Sequence, residues 1–204
     1  MIHLFHEASA NCSRVVTEKY STSFSSAISL LHKDLRKPIY NIYGFVRFAD
    51  EIVDTFHDYD KPLLLQQFKE ETYAAIERGL SLNPILNSFQ QTVKLYKIDV
   101  RLVDAFFYSM EQDLSKKRYD KMEYAEYIYG SAETVGLMCL YVFCEGNGVL
   151  HEKLKGSAKA LGSAFQKVNF LRDIKADYNG LSRMYFPGFD FNNFKEQDKK
   201  EKRI

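Results

Sequence analysis

Polar side chains recur at helical spacing within an otherwise apolar stretch of the sequence, residues 38–57. They are Tyr43, Arg47, Asp50 and Asp54, which we call the first acidic face. At 100° per residue these positions fall within an arc of about 60° on a helix. A helix that is apolar on its other sides is normally buried, and a buried carboxylate is costly unless it is neutralised. A single Asp-x-x-x-Asp motif is explained more simply by an Arg47–Asp50 ion pair and a solvated Asp54, so it is weak evidence for a metal site.

A second set of polar residues repeats this geometry between residues 162 and 179. The second acidic face consists of Gln166, Asn169, Asp173 and Asp177, within an arc of about 80°. Two carboxylate pairs that face one cavity can share divalent cations, and oxygen ligands without His or Cys favour Mg²⁺. Because Mg²⁺ is usually completed by phosphate oxygens, the two faces together predict a site for Mg²⁺ and a diphosphate.

Basic and hydroxyl side chains near these faces are candidates for binding the diphosphate. Arg47 lies on the first face, and Arg172 and Arg183 flank the second. Arg172 is off the main face of its helix, so a surface ion pair is the alternative. The segment 20–23, Tyr-Ser-Thr-Ser, stands where a helix is expected to begin. Its hydroxyls and free N–H groups can hold a phosphate, but an ordinary N-cap explains them as well.

A tyrosine between the two acidic faces is a third candidate. Tyr127 shares a helix face with Ser131, although a tyrosine on a helix is usually part of the core. Gly130, Gly136 and Gly162 remove bulk nearby. Their small size leaves room for a long substrate chain, and close helix packing is the alternative explanation.

The elements that must position these residues are helices. Helical periodicity and helix-start signals at Asp60, Asn83 and Asp99 dominate, and no comparable strand signal occurs. The sequence therefore predicts a single all-α domain. The predicted helices lie near residues 5–18, 22–33, 38–57, 62–79, 84–96, 100–117, 122–144 and 151–178.

Composition excludes several classes of partner. With 28 basic and 27 acidic residues among 204, the net charge of +1 gives no overall field that favours nucleic acid or an anionic membrane as the main partner, so any anion site must be local. No signal peptide is recognised, and the longest apolar run, 136–144, is too short to span a membrane. Three cysteines in apolar patterns are expected to be buried, reduced thiols. We therefore expect a cytoplasmic protein whose only membrane contact is peripheral.

Five separated blocks resemble the squalene/phytoene synthase family, and bacterial phytoene synthases in particular. They are Tyr20–Phe24, Tyr43–Asp54, Tyr127–Gly136, Gln166–Asp177 and Arg183–Pro187. The resemblance implies the class I isoprenoid synthase helical fold with a central cavity. Family members continue beyond the last block through further helices, so we expect residues 1–204 to be a C-terminally incomplete domain.

The resemblance also implies roles for individual residues. It assigns Mg²⁺ to Asp50, Asp54, Asn169, Asp173 and Asp177. It assigns substrate binding to Tyr20, Ser21, Thr22, Ser23, Tyr43, Arg47, Gln166, Arg172 and Arg183. It assigns catalysis to Tyr127 together with Arg47, Asp50, Asp54, Asp173 and Asp177. Tyr127 and the departing diphosphate are both candidates for the base that removes a proton.

The implied reaction is head-to-head condensation of two geranylgeranyl diphosphates, through a cyclopropyl diphosphate intermediate, to phytoene. The alternatives are squalene or dehydrosqualene synthesis from C15 diphosphates, with NADPH required only for squalene, a class I terpene cyclase, and a non-catalytic scaffold of the same fold. Neither acidic face reproduces the Asp-Asp-x-x-Asp motif of chain-elongating synthases. The expected partners are two isoprenoid diphosphates, with peripheral membrane contact for product release, and the oligomeric state stays open.

Overall fold

The computed structural model describes residues 1–116, 118–176 and 185–187, with the side chains of 174–176 left aside. All the regular elements in these ranges are helical, which confirms the all-α prediction. In chain order they are α1 (Ile2–Tyr20), α2 (Thr22–Ser29), α3 (Lys33–Asp54), α4 (Lys61–Arg78), α5 (Pro84–Tyr96), α6 (Val100–Ser115), α7 (Lys121–Ile128), a π-helical turn (Tyr129–Glu133), α8 (Thr134–Phe143) and α9 (Gly148–Ala176).

Side-chain caps start the helices where the sequence predicted. Asp60 accepts a hydrogen bond from Leu63 N–H, and Asp99 accepts one from Arg101 N–H. Asn83 caps α5 in the same way, and Pro84 follows it at the first helical position. Each cap satisfies N–H groups that have no partner within the helix. The predicted starts of α4, α5 and α6 are therefore confirmed.

The start of α3 was predicted five residues too late. The helix begins at Lys33, and Pro38 lies inside it rather than at its first turn. Proline is tolerated there because its missing N–H removes only one bond, to the carbonyl of Asp34, close to the helix end. Its ring is buried in the core. The predicted end at 57 was also too late, because α3 ends at Asp54.

The segment predicted as one helix over 122–144 is divided by the π-helical turn. The N–H of Thr134 bonds to the carbonyl of Tyr129, five residues back. A regular α-helix would bond four residues back, so the turn holds one extra residue. The residues of α7 and α8 consequently do not share one continuous helical face.

The glycines near this turn allow close helix packing, not a longer cavity. A Cβ on Gly130 would lie 2.5 Å from the carbonyl oxygen of Ala105 on α6. A Cβ on Gly162 would lie 3.0 Å from the carbonyl oxygen of Ala132 in the turn. Gly136 likewise faces backbone, since a Cβ there would lie 3.4 Å from the carbonyl oxygen of Ala158. The expectation that Gly130 and Gly162 make room for a C20 chain was wrong, because neighbouring backbone fills their space, whereas a Cβ at Gly136 would make an ordinary van der Waals contact.

Helix α3 lies at the centre of the core, where it packs against α1, α4, α5, α6 and α8. Phe45 of α3 stacks on Phe89 of α5 with ring centroids 3.9 Å apart, and Phe106 and Phe107 of α6 surround it. Aromatic pairs of this kind stabilise a core beyond the area that they bury. Helix α9 packs on α8 and on the π-helical turn. The two acidic faces are thus positioned by one aromatic core and by α8, which contacts both of their helices.

The cysteines are less buried than the sequence indicated. All three are free thiols, but Cys12 is exposed, Cys139 is partly buried and Cys144 alone is buried. Cys12 lies between the buried positions of α1, Ala10 and Ser13, on the side that faces solvent. Its apolar neighbourhood in sequence therefore misled the prediction. Among the residues that the structure describes, no helix is long and apolar enough to cross a membrane.

Candidate active site

Arg47 of the first acidic face is held in a fixed position. Its Nη2 donates a hydrogen bond to Glu51, and its Nη1 lies 3.9 Å from Asp50. The guanidinium also lies over the ring of Tyr20, 4.7 Å from the centroid. Its Nε is buried and has no hydrogen-bond partner among the residues that the structure describes. A fixed guanidinium with an unused donor is suited to an anionic ligand.

The segment 20–24 joins this site through Tyr43. Ser21 is the N-cap of α2, where its hydroxyl accepts from Phe24 N–H at 3.2 Å, so the ordinary capping interpretation is confirmed. The same side chain hydrogen-bonds Tyr43, and Phe24 stacks on the Tyr43 ring at 4.3 Å. Thr22 and Ser23 are exposed. Of the predicted substrate residues in this segment, Tyr20 and Ser21 therefore contact the first acidic face.

Negative charge is crowded around Asp50. Burial raises the pKa of its carboxyl to about 8, and the charges of Asp54 and, from α6, Asp113 act in the same direction. Arg47 opposes the rise without cancelling it. A carboxylate that is desolvated and crowded by like charges is stabilised by a cation. The first acidic face therefore has a surplus of negative charge that a cation would relieve.

The second acidic face lies on α9, which packs against the π-helical turn. Gln166 Nε2 donates to Ser131 Oγ in the π-helical turn at 3.4 Å, and Asn169 Nδ2 donates to Gln166 at 3.4 Å. Arg172 forms a two-pronged ion pair with Asp173, with distances of 2.6 and 2.8 Å, as the surface-pair alternative predicted.

Arg172 also acts beyond this pair. Burial raises the pKa of Tyr43 on α3, while its hydrogen bond to Ser21 and, more weakly, the charge of Arg172 act to lower it. The positive charge on α9 is therefore close enough to act on the first acidic face. The predicted site residues Asp177 and Arg183 lie outside the described residues.

Tyr127 is buried and bonded to a carboxylate. Its hydroxyl donates to Asp113 at 2.7 Å, and Tyr119 donates to the same carboxylate at 3.4 Å. The hydroxyl of Tyr185 lies 3.5 Å from that of Tyr127, and its ring stacks on Phe170 of α9 at 4.2 Å. Burial and the charge of Asp113 hold the pKa of Tyr127 well above its usual range. Tyr127 is consequently a neutral phenol.

Asp113 is the site residue that the sequence analysis missed. It lies on α6, buried like Phe106 and Met110, and its charge reaches both Asp50 and Tyr127. The sequence contained a signal for this role, since Asp113 shares a helix face with the apolar residues of α6. A carboxylate at such a position is costly to bury unless it has a polar partner. The same signal would not have revealed Tyr119 or Tyr185, whose contacts depend on the folded chain.

The donor set fits a divalent cation in charge and chemistry. The carboxylate oxygens are hard ligands, and the raised pKa of Asp50 reflects charge that the protein leaves uncompensated. Within the described part of the chain, no three His, Cys, Asp or Glu side chains are grouped closely enough to enclose a metal ion. Mg²⁺ does not require such a cage, since one or two carboxylates and phosphate oxygens commonly hold it.

The helical fold defines the class of protein. Over 98% of its length the chain superposes on a dehydrosqualene synthase, of which it covers 65%, with a TM-score of 0.77 and 24% identity. It superposes equally well on a squalene synthase from Alicyclobacillus acidocaldarius, with a TM-score of 0.78 and 24% identity over 89% of this chain and 67% of that one. The chain therefore has the helical fold of isoprenoid synthases.

The sequence comparison identifies the family. The family model for squalene/phytoene synthase matches residues 17–200, so this chain belongs to the squalene/phytoene synthase family. It is 30% identical to phytoene synthase 1 of Solanum lycopersicum over 188 residues, which are 90% of this chain and 45% of that protein. It is 28% identical to presqualene diphosphate synthase of Rhodopseudomonas palustris over 173 residues, 81% of this chain and 58% of that protein. The chain spans about half the length of the curated relatives it matches.

Proposed function

We propose that this protein joins two isoprenoid diphosphates head to head and that its product is phytoene, made from two geranylgeranyl diphosphates. The observation that carries the proposal is the surplus of negative charge around Asp50, across from the positive charge of Arg172. A divalent cation together with a diphosphate would neutralise both sides of such a site. Membership of the squalene/phytoene synthase family supports this chemistry.

The residues that would hold Mg²⁺ are Asp50, Asp54, Asn169, Asp173 and Asp177. The chemistry that the ion supplies when bound is Lewis-acid polarisation of the diphosphate leaving group. Arg47 would donate its unused Nε–H to a diphosphate oxygen, because Glu51 and Tyr20 already fix its position. The C–O bond of the allylic substrate breaks, and its electron pair leaves with the diphosphate that these donors stabilise.

Tyr127 and Asp113 would manage the proton that the product must lose. The pKa of Tyr127 is too high for a free tyrosinate to act as base, because of burial and the neighbouring Asp113. Its phenol oxygen can accept a proton from the substrate cation only while its own proton passes to Asp113, 2.7 Å away. The pair then returns to its starting state by passing one proton to the departing diphosphate or to water.

Apolar side chains on α9 would contact the hydrocarbon chains. Leu161, Phe165 and Val168 are exposed on a face next to Gln166 and Asn169. Apolar walls exclude water, which would otherwise capture a carbocation. Three large apolar side chains exposed next to one another on one helix face are typical of a surface that binds an apolar partner.

The second candidate function is condensation of C15 diphosphates to squalene or dehydrosqualene. It is favoured by the fold of the dehydrosqualene and squalene synthases and by the likeness to a presqualene diphosphate synthase. The similarity to phytoene synthases supports the C20 substrate instead. A non-catalytic scaffold is disfavoured because Asp50, Asp54, Asp173 and Asp177 are all retained.

Product identification distinguishes these functions. The protein is incubated with Mg²⁺ and either C15 or C20 diphosphate, with and without NADPH, and the hydrocarbon and released diphosphate are measured. Phytoene with two diphosphates released per molecule, independent of NADPH, is the expected result. One diphosphate per hydrocarbon would indicate a cyclase, and NADPH-dependent squalene would favour the second candidate. The Asp173→Asn variant should be inactive, whereas Asp58→Asn, at an exposed loop position, should keep activity.

Ligand binding gives an independent measurement. A scaffold without the site would show no added thermal stabilisation when Mg²⁺ and inorganic diphosphate are present together. That result, with no hydrocarbon from either substrate, would overturn the proposed chemistry.

A further inference from the structure

A groove of about 880 Å³ opens on the outer side of the bundle, away from both acidic faces. It runs between α1 and the corner that joins α2 to α3, with Ala10 and Tyr40 among its lining residues. Its volume is within the range of small-molecule sites. Neither acidic face contributes a lining residue, so the groove is separate from the candidate active site.

The groove is basic. Four cations line it, Arg14, Lys33, Arg36 and Lys37, against the carboxylates of Glu7 and Glu18. Arg14 is neutralised by Glu18 at 2.7 Å. In the part of the chain that the structure describes, Lys33 and Lys37 have no carboxylate within ion-pair distance. The positive charge is therefore concentrated on the α3 side of the groove.

The backbone adds to this charge. The N-cap of α3, His32, makes no side-chain hydrogen bond to the first turn of the helix. The N-terminus of a 22-residue helix carries a partial positive charge and N–H groups that need acceptors. Arg36 donates from Nε to the carbonyl of Leu31 at 2.8 Å, which fixes its guanidinium at the same corner. Asp34, in the first turn of α3 and 3.4 Å from His32, offsets part of the charge of the helix end, so Lys33, Arg36 and Lys37 supply most of the attraction for an anion.

Three exposed aliphatic residues each follow directly after a lining residue of the basic groove in the sequence. Leu30 follows the groove residue Ser29 and is 87% exposed, the highest value for any leucine outside the α4–α5 loop. Leu4 and Val15 of α1 are 63% and 54% exposed. None of the three is among the groove's lining residues, so a ligand bound inside the groove does not account for their exposure. Cations beside protruding aliphatic residues match the headgroups and the outer acyl region of an anionic bilayer.

We propose that this surface docks the protein on an anionic phospholipid bilayer, with headgroup phosphates bound by Lys33, Arg36 and Lys37 and with Leu30 inserted among the acyl chains. The interaction is distinct from the proposed catalysis and does not depend on it. It would bring the protein to the phase in which isoprenoid chains are soluble.

Vesicle sedimentation tests the electrostatic part. The protein is spun with phosphatidylcholine vesicles that contain, or lack, about 30% phosphatidylglycerol. Binding is expected only with phosphatidylglycerol. Replacing Lys33, Arg36 and Lys37 by glutamine should weaken it about a hundredfold, because each cation contributes about fivefold to the affinity. The control variant, with Lys94, Lys121 and Lys153 changed to glutamine, loses the same charge at exposed sites elsewhere and should bind nearly as well as the parent protein. Equal losses in both variants would overturn a specific surface.

Tryptophan fluorescence tests the inserted residue. The chain contains no tryptophan, so Leu30→Trp introduces a single reporter. Its emission should shift to the blue on phosphatidylglycerol vesicles, while Met122→Trp, at an 83% exposed position on α7, should not respond. Two results would overturn the proposal in favour of another occupant. One is binding of inorganic phosphate without binding of vesicles, and the other is concentration-dependent self-association that the triple groove variant abolishes.

Discussion

Replacing Asp50 by asparagine is expected to stabilise the metal-free protein, although the residue is proposed to be essential for turnover. The carboxyl has an ordinary pKa of 3.8, and burial among like charges raises it to about 8 in the fold. The folded state therefore retains a proton that the unfolded chain has already lost between these two values. Stability should fall as the pH rises from about 4 to about 8, and asparagine, which does not ionise, should remove that part of the fall.

The size of the effect follows from the same two values. A rise from 3.8 to about 8 corresponds to at most about 6 kcal/mol, at about 1.4 kcal/mol per pH unit. The side chain keeps 32% of its area exposed, and screening by solvent reduces the expected gain to about 2 kcal/mol above pH 8. For a chain of this length that is a rise in melting temperature of about 4–8 °C.

Urea unfolding with chelator present, at pH 4 and at pH 8.5, measures the difference between the variant and the parent protein. The free energy of unfolding of the variant should exceed that of the parent protein by nearly zero at pH 4 and by about 2 kcal/mol at pH 8.5. Asp58→Asn, which removes an exposed carboxylate just after α3, should show little change at either pH. A variant that is less stable at pH 8.5 would refute the reasoning, since Asp50 would then be a stabilising partner of Arg47.

Mg²⁺ together with diphosphate should raise the melting temperature more than Mg²⁺ alone, because phosphate oxygens complete its coordination; equal shifts would count against the proposed site. Tyr127→Phe removes the hydroxyl that donates to buried Asp113 and should cost about 1–3 kcal/mol in urea unfolding. Gly130→Ala should cost about 1–3 kcal/mol, since its Cβ would meet a backbone oxygen at 2.5 Å. The matched control Gly156→Ala, with open space around its Cβ, should gain about 0.5–1 kcal/mol, and a loss equal to that of Gly130→Ala would show that the close backbone contact is not the cause. In competition between C15 and C20 diphosphates, kcat/KM should favour C20 while some C15 is still used, because each methylene changes binding by only about 1–3 kcal/mol; a preference for C15 would overturn the phytoene assignment.

The acidic face of α3 was predictable because its geometry depends only on spacing along one helix. Arg47 and Asp50 share a face in any regular helix, and the structure has them 3.9 Å apart. The charge that Asp113 adds was not predictable, because it comes from α6, and only the packing of α6 against α3 brings it near. Local spacing predicts which side chains share a helix face, whereas it does not say what that face meets.

The misjudged glycines illustrate the same limit. Gly130 and Gly162 were recognised as small residues, but a missing side chain is compatible with an open space and with a close neighbour. The fold decides between them, because backbone atoms of α6 and of the π-helical turn fill both positions. The turn itself was missed because a helical wheel assumes a constant 100° per residue, which one added residue violates.

The position of Tyr127 depends on the number of residues in the π-helical turn. The turn Tyr129–Glu133 sets α7 about 100° out of phase with α8, while α8 remains anchored between α3 and α9. Deleting Ala132 from the turn would restore a regular helix without removing a hydrogen-bonding side chain of the site. It would also swing α7 by about 100° and carry the Tyr127 hydroxyl away from Asp113. Inserting or deleting one residue in this five-residue turn would therefore move Tyr127 into or out of the site. A substitution in the turn would shift the side chain only slightly.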